Sequence, residues 1–104
     1  VSTRYTTPAR LRAELEDALR RAGFADPVVT KPRYVARAER NCLEAGVFQY
    51  ASVRMSLETL EGYERVLRDL PGVVATRIIH EDKGTLRDQV EVTHLRMWDE
   101  PGEA

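Results

Sequence analysis

The clearest hydrophobic pattern in the chain lies in residues 47–80, VFQYASVRMSLETLEGYERVLRDLPGVVATRIIH. It predicts strand, helix, strand. Residues 47–55 are rich in β-branched and aromatic side chains, with Val47, Ala51, Val53 and Met55 alternating as an inward set. Ser56 offers a hydroxyl to the free N–H groups of a new helix, and Glu58 suits its positive first turn. Leu57, Leu60, Tyr63, Val66, Leu67 and Leu70 then recur at a helical period along one face. Pro71-Gly72 stops the helix, and residues 73–80 are again β-rich. Gly62, in mid-helix, marks either a close approach of the helix to the sheet or a neutral exposed site.

Ahead of this unit, residues 1–6 read as a loose arm. Thr7 and Pro8 start a helix that runs to Ala22, with Leu11, Leu15, Ala18, Leu19 and Ala22 inward. Gly23 ends it and lets Phe24 fold back on the last turn. Four pairs, Arg10/Glu14, Arg12/Glu16, Glu16/Arg20 and Asp17/Arg21, are spaced i,i+4 with opposite signs.

Residues 26–46 admit two readings. In one, a strand beginning at Val28 continues through Tyr34, Ala36 and Ala38 and returns through a loop into 47–55 as a hairpin. In the other, Thr30 caps a helix with Val35, Ala38, Cys42 and Ala45 inward, stopped by Gly46. The hairpin version yields the order αββαββ, a cyclic reordering of the ferredoxin-like βαββαβ. Near the C-terminus, Asp82-Lys83-Gly84 suits a three-residue hairpin loop with Gly84 at positive φ. That register pairs positions summing to 166 and puts Val74, Thr76, Ile78 and His80 on one face.

The 104 residues suffice for one domain with one core, expected over 1–98 with an acidic disordered tail at 99–104. The expected fold is a two-layer α+β sandwich. It has a four-stranded, mainly antiparallel sheet with two or three helices on one face, ferredoxin-like or its permuted αββαββ variant. No run approaches ~18 apolar residues and no signal-peptide pattern is present, so no membrane partner is expected. One cysteine, Cys42, permits no internal disulfide and points to a reducing, cytoplasmic setting. The net charge of −1 hides an asymmetry: residues 1–40 hold nine Lys/Arg against five Asp/Glu, a surplus of four. Such a split signals an anionic partner, attraction between the halves, or a partner subunit.

No phosphate-binding, nucleophile-elbow, Cys-x-x-Cys or zincin motif occurs. The two histidines, His80 and His94, fall roughly 27 Å apart along the hairpin arms. No catalytic, cofactor or metal residue is therefore assigned. The segment Leu57–Ile79, with its L-x-x-L…L-x-x-L-P-G-V-V-A-T-R-I core, resembles the strand–helix–strand half of ACT and RAM regulatory domains. Those are ferredoxin-like modules that dimerise and often bind amino acids. The resemblance covers about a third of the chain and implies a non-catalytic, self-associating binding or regulatory module.

The informative surface is the sheet face away from the helices. Phe48, Tyr50, Arg54, Arg77, Arg87, Glu91, Leu95 and Met97 are expected there. The apolar members suit a homodimer contact. Aromatics flanked by arginines would equally suit single-stranded nucleic acid. The same set could also lie under another segment of the chain. A small plait-like enzyme is a further alternative from a different functional class.

Overall fold

The computed structural model describes residues 2–100, and the side chains of residues 3–99. The chain opens on a strand rather than a loose arm. β1 (Ser2–Tyr5) pairs antiparallel with β7 (Met97–Glu100) in a separate two-stranded ribbon. Asp99 and Glu100, expected in a tail, are therefore strand residues, and the rest of that tail lies outside the described residues. The cause is pairing between the chain ends, which local composition does not report.

Thr7 caps α1 (Pro8–Arg21), its Oγ1 accepting from the N–H of Arg10 at 3.2 Å. Three of the four expected ion pairs form on the solvated face: Arg12–Glu16, Arg20–Glu16 and Arg21–Asp17. At the helix end the Phe24 N–H donates to Leu19 O at 3.0 Å, and the Phe24 ring meets Tyr63 edge-on, 4.8 Å between centroids. A Cβ on Gly62 would lie 2.9 Å from that Phe24 ring. Gly62 thus marks a close approach, to the Phe24 ring just after α1 rather than to the sheet.

β2 (Pro27–Val29), β3 (Arg33–Arg37) and β4 (Arg40–Gln49) follow. α2 (Leu57–Arg68), β5 (Val73–Ile79) and β6 (Gln89–Leu95) complete the chain before β7. The five-stranded sheet has the order β2–β4–β6–β5, with β3 also paired to β4, and every pairing is antiparallel. β4 and β5 consequently run parallel, with β6 between them. Of the two readings of 26–46 the hairpin forms, but its return strand begins at Arg40, directly after a turn at 38–39, and not at 47 after a loop. Ala38 and Glu39, at φ 50° and 63°, form a two-residue loop that sets Arg37 opposite Arg40. The helix reading fails because β4 has a partner on each side, and sheet pairing overrides the weak helix propensity of its sequence.

Two further expectations are corrected. β4 ends at Gln49, where Ala51 turns at φ 60°, so Val53 is exposed in a loop while Met55 reaches the core. The β5–β6 register pairs Thr76 with Val92 and Ile78 with Val90, two positions from the expected one. The shift is even, so the faces survive, but a bulge between Val73 and Ala75 removes Val74 from its expected row. A turn does form at 82–85, with Thr85 N–H donating to Asp82 O at 3.2 Å, yet it sits at the tip of a nine-residue loop, 80–88. The positive φ in that loop belongs to Glu81, not Gly84.

Both helices share one core with the sheet. Leu11, Leu15 and Leu19 of α1 and Leu60, Tyr63 and Leu67 of α2 pack with Leu43, Ala45, Val47, Val90 and Val92. Full burial of such a side chain is worth about 1.5–3 kcal/mol, so this layer carries the fold.

Candidate functional site

Side chains alternate across a strand, so Leu43, Ala45 and Val47 facing the helices forces Cys42, Glu44 and Gly46 to the opposite face. The register places Glu91, Thr93 and Leu95 of β6 beside them, and Ala75 and Arg77 of β5 beyond. Among the described residues no helix layer covers this face. Even so, Cys42 is 1% exposed, Glu44 5%, Leu95 6% and Thr93 7%. These residues form the floor of a trough of about 680 Å³, edged by Arg37, Ala38 and Arg40 at the β3–β4 turn and by Val74, Ala75 and Arg77 on β5.

Glu44 is the electrostatic centre of one wall. Its Oε1 accepts from Arg33 at 2.6 Å and its Oε2 from Arg37 at 2.9 Å. The hydrogen bond from Arg33 lowers the Glu44 pKa below the usual carboxylate range, against the opposing effect of burial. Its ionised form therefore stabilises the fold above the ordinary carboxylate range, and that contribution fades as pH falls through the lowered value. Across the trough Arg77 and Glu91 pair at 3.4 Å with the arginine largely solvated. Among the described residues, Arg40 has no ion-pair partner.

The expected site residues are dispersed. Arg77, Glu91 and Leu95 do line the trough. Met97 belongs to the β1–β7 ribbon, and Tyr50, 70% exposed, sits in the turn after β4. Phe48 is half-buried against the core with the Arg87 guanidinium 4.1 Å above its ring. An aromatic platform is thus not presented: one ring is capped by a cation and the other projects from a loop.

Arg54 belongs to a different construction. It donates to Asp88 Oδ1 at 3.1 Å, while Asp88 also accepts from the backbone N–H groups of Glu81 (2.8 Å) and Met55 (3.0 Å). His80 Nδ1 lies 3.2 Å from the same carboxylate. Asp88 thereby ties loop 80–88 to the loop entering α2. These bonds, led by the Glu81 and Met55 N–H groups, lower its pKa to about 2. The tie is complete above about pH 4 and is lost as pH falls towards 2. His94, at the other end of β6, faces the carbonyl oxygens of Leu95 (2.6 Å) and Pro71 (3.0 Å). The two histidines serve separate contacts. No helix among the described residues is long and apolar enough to cross a membrane.

Sequence reasoning missed Glu44, Thr93, Cys42 and Arg40 as site residues. Reading 40–49 as one strand would have found the first and third, since its even positions are then forced opposite Leu43, Ala45 and Val47. Nothing in the polar stretch DKGTLRDQ distinguishes Asp88 as a buried acceptor. No family model matches the chain, and neither a curated protein nor a solved structure matches it.

Proposed function

We propose that the protein is a non-catalytic binding or regulatory module whose working surface is the concave face of its sheet, and that two copies associate over that face. The observation that carries this reading is the trough floor. Cys42, Glu44, Thr93 and Leu95 are buried on a face that no other layer of the described residues covers, beneath a rim of arginines. A sheet face meant only for water has no need of such a depression. With the β1–β7 ribbon set aside and β2 and β3 taken together as one edge beside β4, the order reduces to αββαββ, and this and the strand order β2–β4–β6–β5 support a permuted ferredoxin-like plait. In that reading Leu57–Ile79 is the unit that resembles ACT and RAM domains, and self-association and ligand binding are the properties it suggests. Two concave faces meeting rim to rim would enclose a chamber, with the exposed Val74 of each copy at the contact.

Nucleic-acid binding is the weaker reading, because the trough lining contains no aromatic residue on which a base could stack. The test is sedimentation of the wild type and of the double variant Val74→Glu with Ala75→Glu. The wild type is expected to be dimeric and the variant a folded monomer. A wild type that stays monomeric at tens of micromolar removes the association, and a variant that stays dimeric moves the contact elsewhere.

A further inference from the structure

Taking the concave face as the working surface, we propose that its trough binds a small amphipathic anion: a monocarboxylate whose apolar body lies on the floor and whose charge meets Arg40 and Arg77. Charge decides the sign of the ligand. Arg37, Arg40 and Arg77 line the trough with Glu44 and Glu91, a surplus of one positive charge in a chain of net charge −1, and Arg33 neutralises Glu44 from outside the lining. The carboxylates are occupied. Both oxygens of Glu44 accept from arginines, and Glu91 already faces Arg77, so a cationic ligand would have to displace a guanidinium. The cations are not equally occupied. Arg33 and Arg37 hold Glu44 at 2.6 and 2.9 Å, whereas Arg77 reaches Glu91 only at 3.4 Å and Arg40 has no ion-pair partner among the described residues. A guanidinium presents paired N–H donors that match a carboxylate, so these two are the available receptors.

The lining decides the rest of the ligand. Cys42, Val74, Ala75 and Leu95 offer aliphatic and thiol surface with no aromatic ring, which suits an alkyl body better than a stacked planar one. The volume, about 680 Å³, lies within the range of small-molecule sites and is too small for a folded partner. Thr93, paired with Glu44 and two residues from Leu95 on the same strand, sets a hydroxyl beside the apolar floor.

The experiment is calorimetric titration of the full chain with sodium decanoate below its micelle concentration, with decyltrimethylammonium as the probe of opposite charge. Saturable 1:1 binding of decanoate is expected, at least tenfold tighter than the cation. Shortening the chain should weaken it by roughly fourfold per buried methylene. The double variant Arg40→Gln with Arg77→Gln alters exposed side chains and should keep the fold by circular dichroism while losing at least tenfold in affinity. Ala75→Phe, which fills the trough without changing charge, should weaken binding as well. Absent binding, equal affinity for the cation, or an unchanged affinity in the arginine double variant would each overturn the proposal. Sedimentation of the same samples reports the broader reading separately. A dimer that ignores decanoate overturns this ligand class and leaves association standing; a monomer that binds decanoate supports the ligand class and removes association.

Discussion

Leu43 and Glu44 are neighbours on one strand, both almost fully buried, and they are buried by opposite means. Leu43 points into the helix layer, where thirteen buried residues from the helices, the sheet and the segment before α2 form one cluster. Glu44 points to the concave face, where its cover consists of two arginine side chains that are themselves mostly solvated. The first kind of burial removes apolar surface from water and cannot be undone without a cavity. The second exchanges a carboxylate's water for charge-assisted hydrogen bonds, and its guanidinium partners keep access to solvent. One face of the sheet therefore holds the fold together, and the other is free to be shaped for binding.

The sharpest way to break that contrast is to truncate each neighbour in turn. Leu43→Ala should cost about 3 kcal/mol, within the 2–5 kcal/mol range for such cavities, read as a lowered denaturation midpoint at unchanged slope. Glu44→Gln should cost only about 1 kcal/mol, since the freed arginines return to water instead of being stranded. The Glu44 difference should also be constant at neutral pH and shrink as pH falls below the ordinary carboxylate range towards the lowered folded value. Equal costs for the two changes would mean that the concave face is a second core rather than a binding surface.

The helix-covered half was legible in the sequence because period and partner agree there. Leu57, Leu60, Tyr63 and Leu67 fall on a 3.6-residue period; Leu60, Tyr63 and Leu67 enter the core, and Ser56 caps the helix by accepting from Thr59 N–H at 3.1 Å. The parity of β5 and β6 was legible for the same reason: an even shift of register leaves inward residues inward. The concave face was not legible, because its strands take their identity from distant partners. Residues 40–46 have little β propensity of their own and become a strand by pairing with β3 and β6 at once. The strand of 47–55 was extended too far because Ala51 and Val53 continue an apolar alternation past the turn that Ala51 makes at positive φ. That alternation places Tyr50 on the sheet face, and continuing the last hairpin strand past Leu95 places Met97 there, yet each lies on a different element from the trough.

The smallest expected effect lies at the β3–β4 turn and has the opposite sign. Ala38 and Glu39 both adopt left-handed φ, 50° and 63°, although neither is a residue that favours this region. A two-residue hairpin loop with positive φ at both positions prefers Asn-Gly, so this turn is held by the strands rather than by its own sequence. The strands can hold it because five consecutive pairs, from Arg33–Glu44 to Arg37–Arg40, are in register, with the Glu44 ion pairs bracing the same hairpin. Both turn residues are exposed, so a substitution there disturbs no packing. Glu39→Gly relieves the steric cost of the side chain but also loosens the unfolded chain, and the net gain should be about 0.5–1 kcal/mol. Ala38→Asn should add a smaller increment, since asparagine enters the left-handed region more readily than alanine. Chemical denaturation of the two variants measures this directly. A loss of stability in both would show that the turn conformation is not set as described, and would move Arg37 and Arg40 away from the rim of the trough.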